Sequence, residues 1–209
     1  MELAPAPTDE RLAGQLLVGR FLALVLQQAP SAEQLAQMLP LLSEFPMEPA
    51  NPEMARGAAL LTEYARETAA SAAASHAAAA AVKADFAALF EGPGAMSAPP
   101  WESIYRTEEQ LLFGPTTFQV RQAYQRWGLG LEQPGREPDD HIALELAFLL
   151  FLTERAATDT AAEAERQRFL QNHLLRWVPP FASLVEDGAN TRFYQGVAKL
   201  LLGYVKACL

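Results

Sequence analysis

One cysteine stands in 209 residues: Cys208, one position from the end. No intrachain disulfide can form, and a prenylation box needs its cysteine four from the end. Lysine is nearly as scarce, with only Lys83, Lys199 and Lys206, and the net charge is −9. A nucleic-acid phosphate backbone demands a basic face, so no nucleic acid is expected as a partner. Long apolar runs are missing too. Leu16–Leu26 and Ile142–Leu152 are interrupted by Arg20 and Glu145, and both are too short to span a bilayer. The N-terminus (Met1-Glu-Leu-Ala-Pro-Ala-Pro-Thr-Asp) has no basic region followed by an apolar stretch. The expectation is a soluble, cytoplasmic protein without stable membrane insertion. Runs of Val, Ile and Thr at period two are absent as well, which removes the signal for strands.

Half of the residues are apolar and 20% are charged, the balance of a globular chain. Alanine and leucine dominate, and both favour helix. The reading is all-α: a flexible tail over 1–8, then a single multi-helix domain over 9–209. Thr8 or Asp9 caps a first helix to about Gln28, with a buried stripe of Leu12, Leu16, Leu17, Phe21, Leu24 and Val25. Ser31-Ala-Glu-Gln is a capping box opening a helix to about Leu42. A helical region over 53–90 would measure about 55 Å as one rod, so a break is expected near Thr68–Ser75. Residues 92–115 read as irregular. Further helices are expected over 116–127, 138–158, 161–176, 179–187 and 190–207.

Three islands exceed what a helical domain needs. The first two are Phe86-Ala-Ala-Leu-Phe-Glu-Gly-Pro-Gly94 and Pro99-Pro-Trp-Glu-Ser-Ile-Tyr105. Paired prolines stiffen the second into an extended path. Its aromatics either plug the edge of the core or wall a peptide groove. The third is Glu137-Pro-Asp-Asp-His-Ile-Ala-Leu-Glu-Leu146. Pro138 suits a first helical position, and Asp139 and Asp140 complement the positive end of a helix. Alternatively Asp140, His141 and Glu145 form an acidic pocket rim. His141 and Glu145 share a helix face, and a carboxylate inside so apolar a helix needs a partner. Two such groups are too few for a metal site. No Gly-x-Gly-x-x-Gly or Gly-Lys-Ser/Thr motif is present, so no bound cofactor is expected. His173 and Trp177, also four apart, read as a packed pair.

These residues resemble the TorD/DmsD/NarJ family of redox-enzyme maturation chaperones. The pattern runs Asp85-Phe86-x-x-Leu89-Phe90-x-Gly92-Pro93, Pro99-Pro100-Trp101-Glu102-Ser103-Ile104-Tyr105 and Glu109-x-Leu111-Leu112-Phe113-Gly114. Arg121, Tyr124 and Glu137-Pro138-Asp139-Asp140-His141 follow, then Phe169-Leu170-x-x-His173 with Trp177, Pro179 and Phe181. The similarity is strongest to the TorD and DmsD branches. It implies a cytoplasmic chaperone and not an enzyme. Its partners would be the twin-arginine leader and the apo catalytic subunit of a molybdenum oxidoreductase, with molybdenum-cofactor biosynthesis proteins as further contacts. It implies leader-binding residues at Leu89, Phe90, Trp101, Tyr105, Gly114, Asp140 and His141, to which the aromatic Phe86 and the carboxylates Asp139 and Glu145 are added as expected contacts to the leader. Gly94, Gln27 and Gln28 stand where some relatives carry aromatics. Alternatives are a NarJ-like assembly factor for a retained reductase, or a metal or nucleotide enzyme on His141 and Glu145. The chain would act as a monomer or as a dimer exchanging helices through the loops before Thr116 and Pro138.

Overall fold

The computed structural model describes residues 9–69, 72–92, 96–131, 135 and 137–209, and among these every regular element is helical. The proposed tail at 1–8, and Pro93 and Gly94, lie outside the described residues. The elements are α1 (Asp9–Gln27), α2 (Ala32–Ser43), α3 (Pro52–Thr68), α4 (Ala72–Phe90), α5 (Glu102–Arg106), α6 (Pro115–Arg126) and α7 (Ile142–Ala156). Then come α8 (Thr160–Phe169), a π-helical turn (Leu170–Leu174), α9 (Leu175–Gly188) and α10 (Arg192–Ala207).

Capping chemistry sets several starts. Ser31 and Gln34 form the reciprocal capping box ahead of α2. Asn51 accepts from the Met54 amide, with Pro52 at the first helical position. Asp159 accepts from the Ala161 and Ala162 amides. The break near residue 68 is where it was expected. The helix expected from Pro138 instead starts at Ile142, with His141 as its cap. Neither Asp139 nor Asp140 serves that helix end, because both side chains turn back toward α5 and α6. Pro179 and Pro180 do not end a helix either and lie inside α9. Proline deprives the carbonyls four residues earlier of a donor; those belong to half-buried Leu175 and exposed Arg176.

Helix α10 is the hub, packed on α3, α9, α1 and α4, while α7 packs on α1 and α8. The α3–α10 approach is nearly backbone to backbone: a Cβ on Gly57 would lie 2.4 Å from the Leu200 nitrogen. The expected stripe on α1 is rotated. Val18, Leu22, Val25 and Leu26 are buried, whereas Leu17 and Leu24 are exposed. Gly19 explains the rotation. A Cβ there would sit 2.3 Å from the Tyr204 hydroxyl and 2.7 Å from Leu150 Cδ2, so the small residue turns inward.

An aromatic chain then leads from the core to the islands. Phe86 and Phe90 meet edge to face, and both contact Tyr194. Phe90 reaches Phe181, which packs on Trp177, and Tyr105 closes the series against both.

Candidate peptide-binding site

The second and third islands meet through one short antiparallel bridge, Trp101 to His141. The Glu102 amide donates to the Asp140 carbonyl at 3.0 Å, and the Ile142 amide donates to the Pro100 carbonyl at 2.9 Å. The Trp101 and His141 rings stand edge to face, 5.7 Å apart. This clasp joins two loops 40 residues apart and makes one wall of a pocket.

Buried side chains hold the clasp. Asp140 is fully buried; its Oδ2 accepts the Ser103 amide at 2.7 Å and its Oδ1 the Thr117 hydroxyl at 2.8 Å. Asp139 Oδ2 accepts both Arg121 Nε and Nη2, at 2.9 and 2.7 Å, while the Tyr124 hydroxyl donates to the Asp139 carbonyl. A charge-assisted fork of this kind is among the stronger polar contacts. Asp85 does similar work for α10, accepting the Asn190 and Thr191 amides and the Thr191 hydroxyl.

Beneath lies a second polar cluster. Glu102 takes Arg106 Nη1 at 2.6 Å on one oxygen and His173 Nδ1 at 2.8 Å on the other. Glu145, four residues past the cap, takes Trp177 Nε1–H at 3.1 Å on Oε2. Its Oε1 meets no donor, and the neighbouring charge is the Glu102 carboxylate. Two carboxylates in contact form a hydrogen bond only when one holds a proton. Burial first, and the charge of Glu102 next, push the Glu145 carboxyl well above the usual range, which favours its protonated form.

The expected His141–Glu145 partnership is therefore replaced. His141 Nδ1 accepts the Ala143 amide at 3.2 Å, and burial lowers its pKa to about 4, so the ring is neutral. His173 and Trp177 are more than a packed pair, because each anchors one buried glutamate. The only signal was their spacing of four on one helical run.

The pocket beside the clasp holds about 320 Å³. Phe86, Phe90, Trp101 and His141 line it together with Pro100 and Leu144, and Gln27 reaches it from the end of α1. Glu91 and Glu137 are exposed acids on its wall. Tyr105 belongs instead to an adjoining depression of about 610 Å³ with Ile104, Pro180 and Leu184. The remaining expected site residues face inward or sit apart. Leu89 is in the core, Gly114 is the residue before α6, and Asp139, Asp140 and Glu145 are buried with their bonds made internally. The acidic side of the pocket thus comes from Glu91 and Glu137, which sequence reasoning passed over. Among the described residues no group of three His, Cys, Asp or Glu is placed to hold a metal ion, and no helix is long and apolar enough to cross a membrane.

Among the described residues the body is all-helical, with an aromatic pocket beside the clasp. The chain belongs to the nitrate reductase delta subunit family, whose model matches residues 48–183. Among similar curated proteins is the Tat proofreading chaperone DmsD of Salmonella typhi, 34% identical over 112 residues, covering 54% of this chain and 52% of that one. Another is the chaperone protein TorD of Vibrio cholerae serotype O1, 34% identical over 135 residues, covering 60% of this chain and 61% of the relative. The chain thus spans about half to three fifths of the length of these relatives. A crystal structure from Archaeoglobus fulgidus, described as a candidate redox enzyme maturation protein, superposes with a TM-score of 0.54 at 18% identity over 98% of each chain. That likeness carries the fold.

Proposed function

We propose that this chain is a system-specific chaperone, not an enzyme, that binds the twin-arginine leader and apo form of a molybdoenzyme catalytic subunit in the cytoplasm. Cofactor insertion would be completed before export. The observation that carries this reading is the clasped pocket, with an aromatic wall at Phe86, Phe90, Trp101 and His141 and acids at Glu91 and Glu137. A twin-arginine leader is an arginine pair followed by an apolar segment, and the pocket offers a counterpart to each. The names of the relatives, a Tat proofreading chaperone and a TorD chaperone, support the same direction.

The energetics suit a client that is released. Burying about 300–500 Å² of apolar leader surface is worth roughly 8–12 kcal/mol gross. Ordering the peptide and losing free tumbling consume several kcal/mol of that, leaving roughly 4–8 kcal/mol, an affinity between micromolar and millimolar. Exposed Glu91 and Glu137 add only about 0–1 kcal/mol per arginine, so affinity rests on the aromatic wall and salt acts weakly. In this reading Trp101 and His141 touch the leader, and the nearly buried Phe86 and Phe90 form the floor behind them. Leu89, Tyr105, Gly114, Asp139, Asp140 and Glu145 shape the wall from behind or beside it.

Calorimetry with a synthetic leader peptide tests this. Trp101→Ala is expected to weaken a 1:1 complex about tenfold or more, as loss of a central aromatic anchor does. Glu91→Gln with Glu137→Gln is expected to weaken it a few-fold, mostly at low salt. Unchanged affinity in Trp101→Ala would overturn the site.

A further inference from the structure

Helix α1 turns Gly19 inward, and its opposite face keeps bulky apolar residues in solvent. Leu17 is 43% exposed and Leu24 39%. Half-buried Phe21 lies between them and Gln28 follows, at spacings of four, three and four, so all share one line along the helix. Between Leu17 and Gln28 the only charged residue is Arg20, and Glu154 of α7 draws it aside at 2.6 Å. An apolar stripe therefore runs for about 15 Å of helix, on a chain of net charge −9.

The stripe joins two hollows. At its C-terminal end Gln27 reaches the aromatic pocket. At its N-terminal end Leu17 and Phe21 enter a cleft between α1 and α2, closed by Met38, Leu41, Phe45 and Pro46. Every side chain lining that cleft is apolar, and Leu41 in its wall is 58% exposed. The cleft holds about 50 Å³. One water needs roughly 10–15 Å³ and polar partners to hold it, so the space suits about four apolar heavy atoms, the size of a leucine side chain.

We propose that this cleft is a second anchor for the leader. The apolar segment that follows the arginine pair leaves the aromatic pocket past Gln27, lies along Leu24 and seats one aliphatic side chain between α1 and α2. This anchor presupposes the leader pocket described above and extends it. Continuity, charge and length all select the occupant. The stripe meets the pocket at Gln27. Acids stand at the pocket end, Glu91 and Glu137, whereas the cleft end is purely apolar, the same division as in the leader. About five residues of extended chain, or about ten of helix, cross the distance. The apolar region of an export leader, about 7–15 residues, supplies either.

Calorimetry on the full chain tests this with two synthetic peptides. The long one is an arginine pair followed by about twelve leucine and alanine residues, and the short one stops after about four. The long peptide is expected to bind about tenfold more tightly. Leu17→Ser combined with Leu41→Ser is expected to remove most of that advantage, about five- to tenfold, with the short peptide bound as before. Both positions are exposed, and thermal melts check that the fold survives. Leu24→Ser, outside the cleft but on the path, should weaken only the long peptide, about two- to fivefold. Trp101→Ala should weaken both peptides. Equal affinity for the two peptides, or an unchanged preference in the serine variants, would overturn the second anchor and leave the pocket standing. Neither peptide binding would refute the pocket and the anchor with it. A wild-type dimer in sedimentation, split by the double variant, would assign this face to a second copy and overturn the proposal.

Discussion

Replacing Glu145 with glutamine makes a sharp test of the buried cluster. The side chain is fully buried, and its oxygens face the Trp177 indole and the Glu102 carboxylate. If Glu145 carries a proton at neutral pH, glutamine reproduces every bond: its carbonyl accepts Trp177 Nε1–H and its amide donates to Glu102. The sign follows from linkage. The folded-state pKa is raised above the ordinary 4.5, so the folded chain holds a proton that the unfolded chain releases. That stability is fully present below pH 4.5 and is lost as the pH rises toward the folded pKa, at up to about 1.4 kcal/mol per pH unit. Two such units amount to about 2.7 kcal/mol. His141 acts in the opposite sense. Its pKa is lowered from 6.5 to about 4 by burial, so its contribution is present above pH 6.5 and lost as the pH falls toward 4. In the wild-type chain the two slopes oppose each other between pH 4.5 and 6.5. In Glu145→Gln only the histidine slope remains. Urea unfolding from pH 4.5 to 7.5 should therefore show Glu145→Gln gaining on wild type steadily with pH. A stability difference that stays flat with pH, or a variant weaker throughout by more than about 2 kcal/mol, would refute the shared proton.

Other perturbations separate fold from binding. Asp140→Ala strands the buried Ser103 amide and Thr117 hydroxyl, and should lower stability in urea melts by about 2–4 kcal/mol. Any loss of leader affinity in that variant should follow its unfolding. Gly57→Leu drives a side chain into the α10 backbone, where even a Cβ would come within 2.4 Å of the Leu200 nitrogen. It should cost about 3 kcal/mol or more, read as a drop in melting temperature. Cys208 is 2% exposed, its thiol pushed up by burial and its sulfur bonded by Gln15 Nε2 at 3.1 Å. Native protein at pH 8 should react slowly with a thiol reagent and rapidly once denatured.

The helical class, the break near residue 68 and the Ser31 cap were legible because periodicity and capping act locally. The inward face of α1 was not. It depends on Gly19 meeting Tyr204 and Leu150, a contact that no local pattern announces. Asp139 and Asp140 looked like helix-start acids for the same reason. Only the fold brings Arg121, Ser103 and Thr117 to them. The islands were recognisable, and their residues do converge. Much of the pattern nevertheless serves as internal wiring: Asp85, Glu102, Arg121, Tyr124, Asp139, Asp140, His173 and Trp177 bond to the protein itself. The pocket acids Glu91 and Glu137 stand inside or beside the same motifs but carry no signal of their own.

The clasp also has a consequence for the order of events during synthesis. Its two halves lie at Pro100 to Glu102 and at Asp140 to Ile142, and the glutamates beneath are anchored from His173 and Trp177. The ribosome must deliver all three stretches before the pocket wall is complete. Domains assemble as units while the chain emerges, so a nascent copy stalled short of residue 177 would carry the aromatic loop without its support. On the proposed reading, peptide binding waits until residue 177 and the stretches before it have folded together.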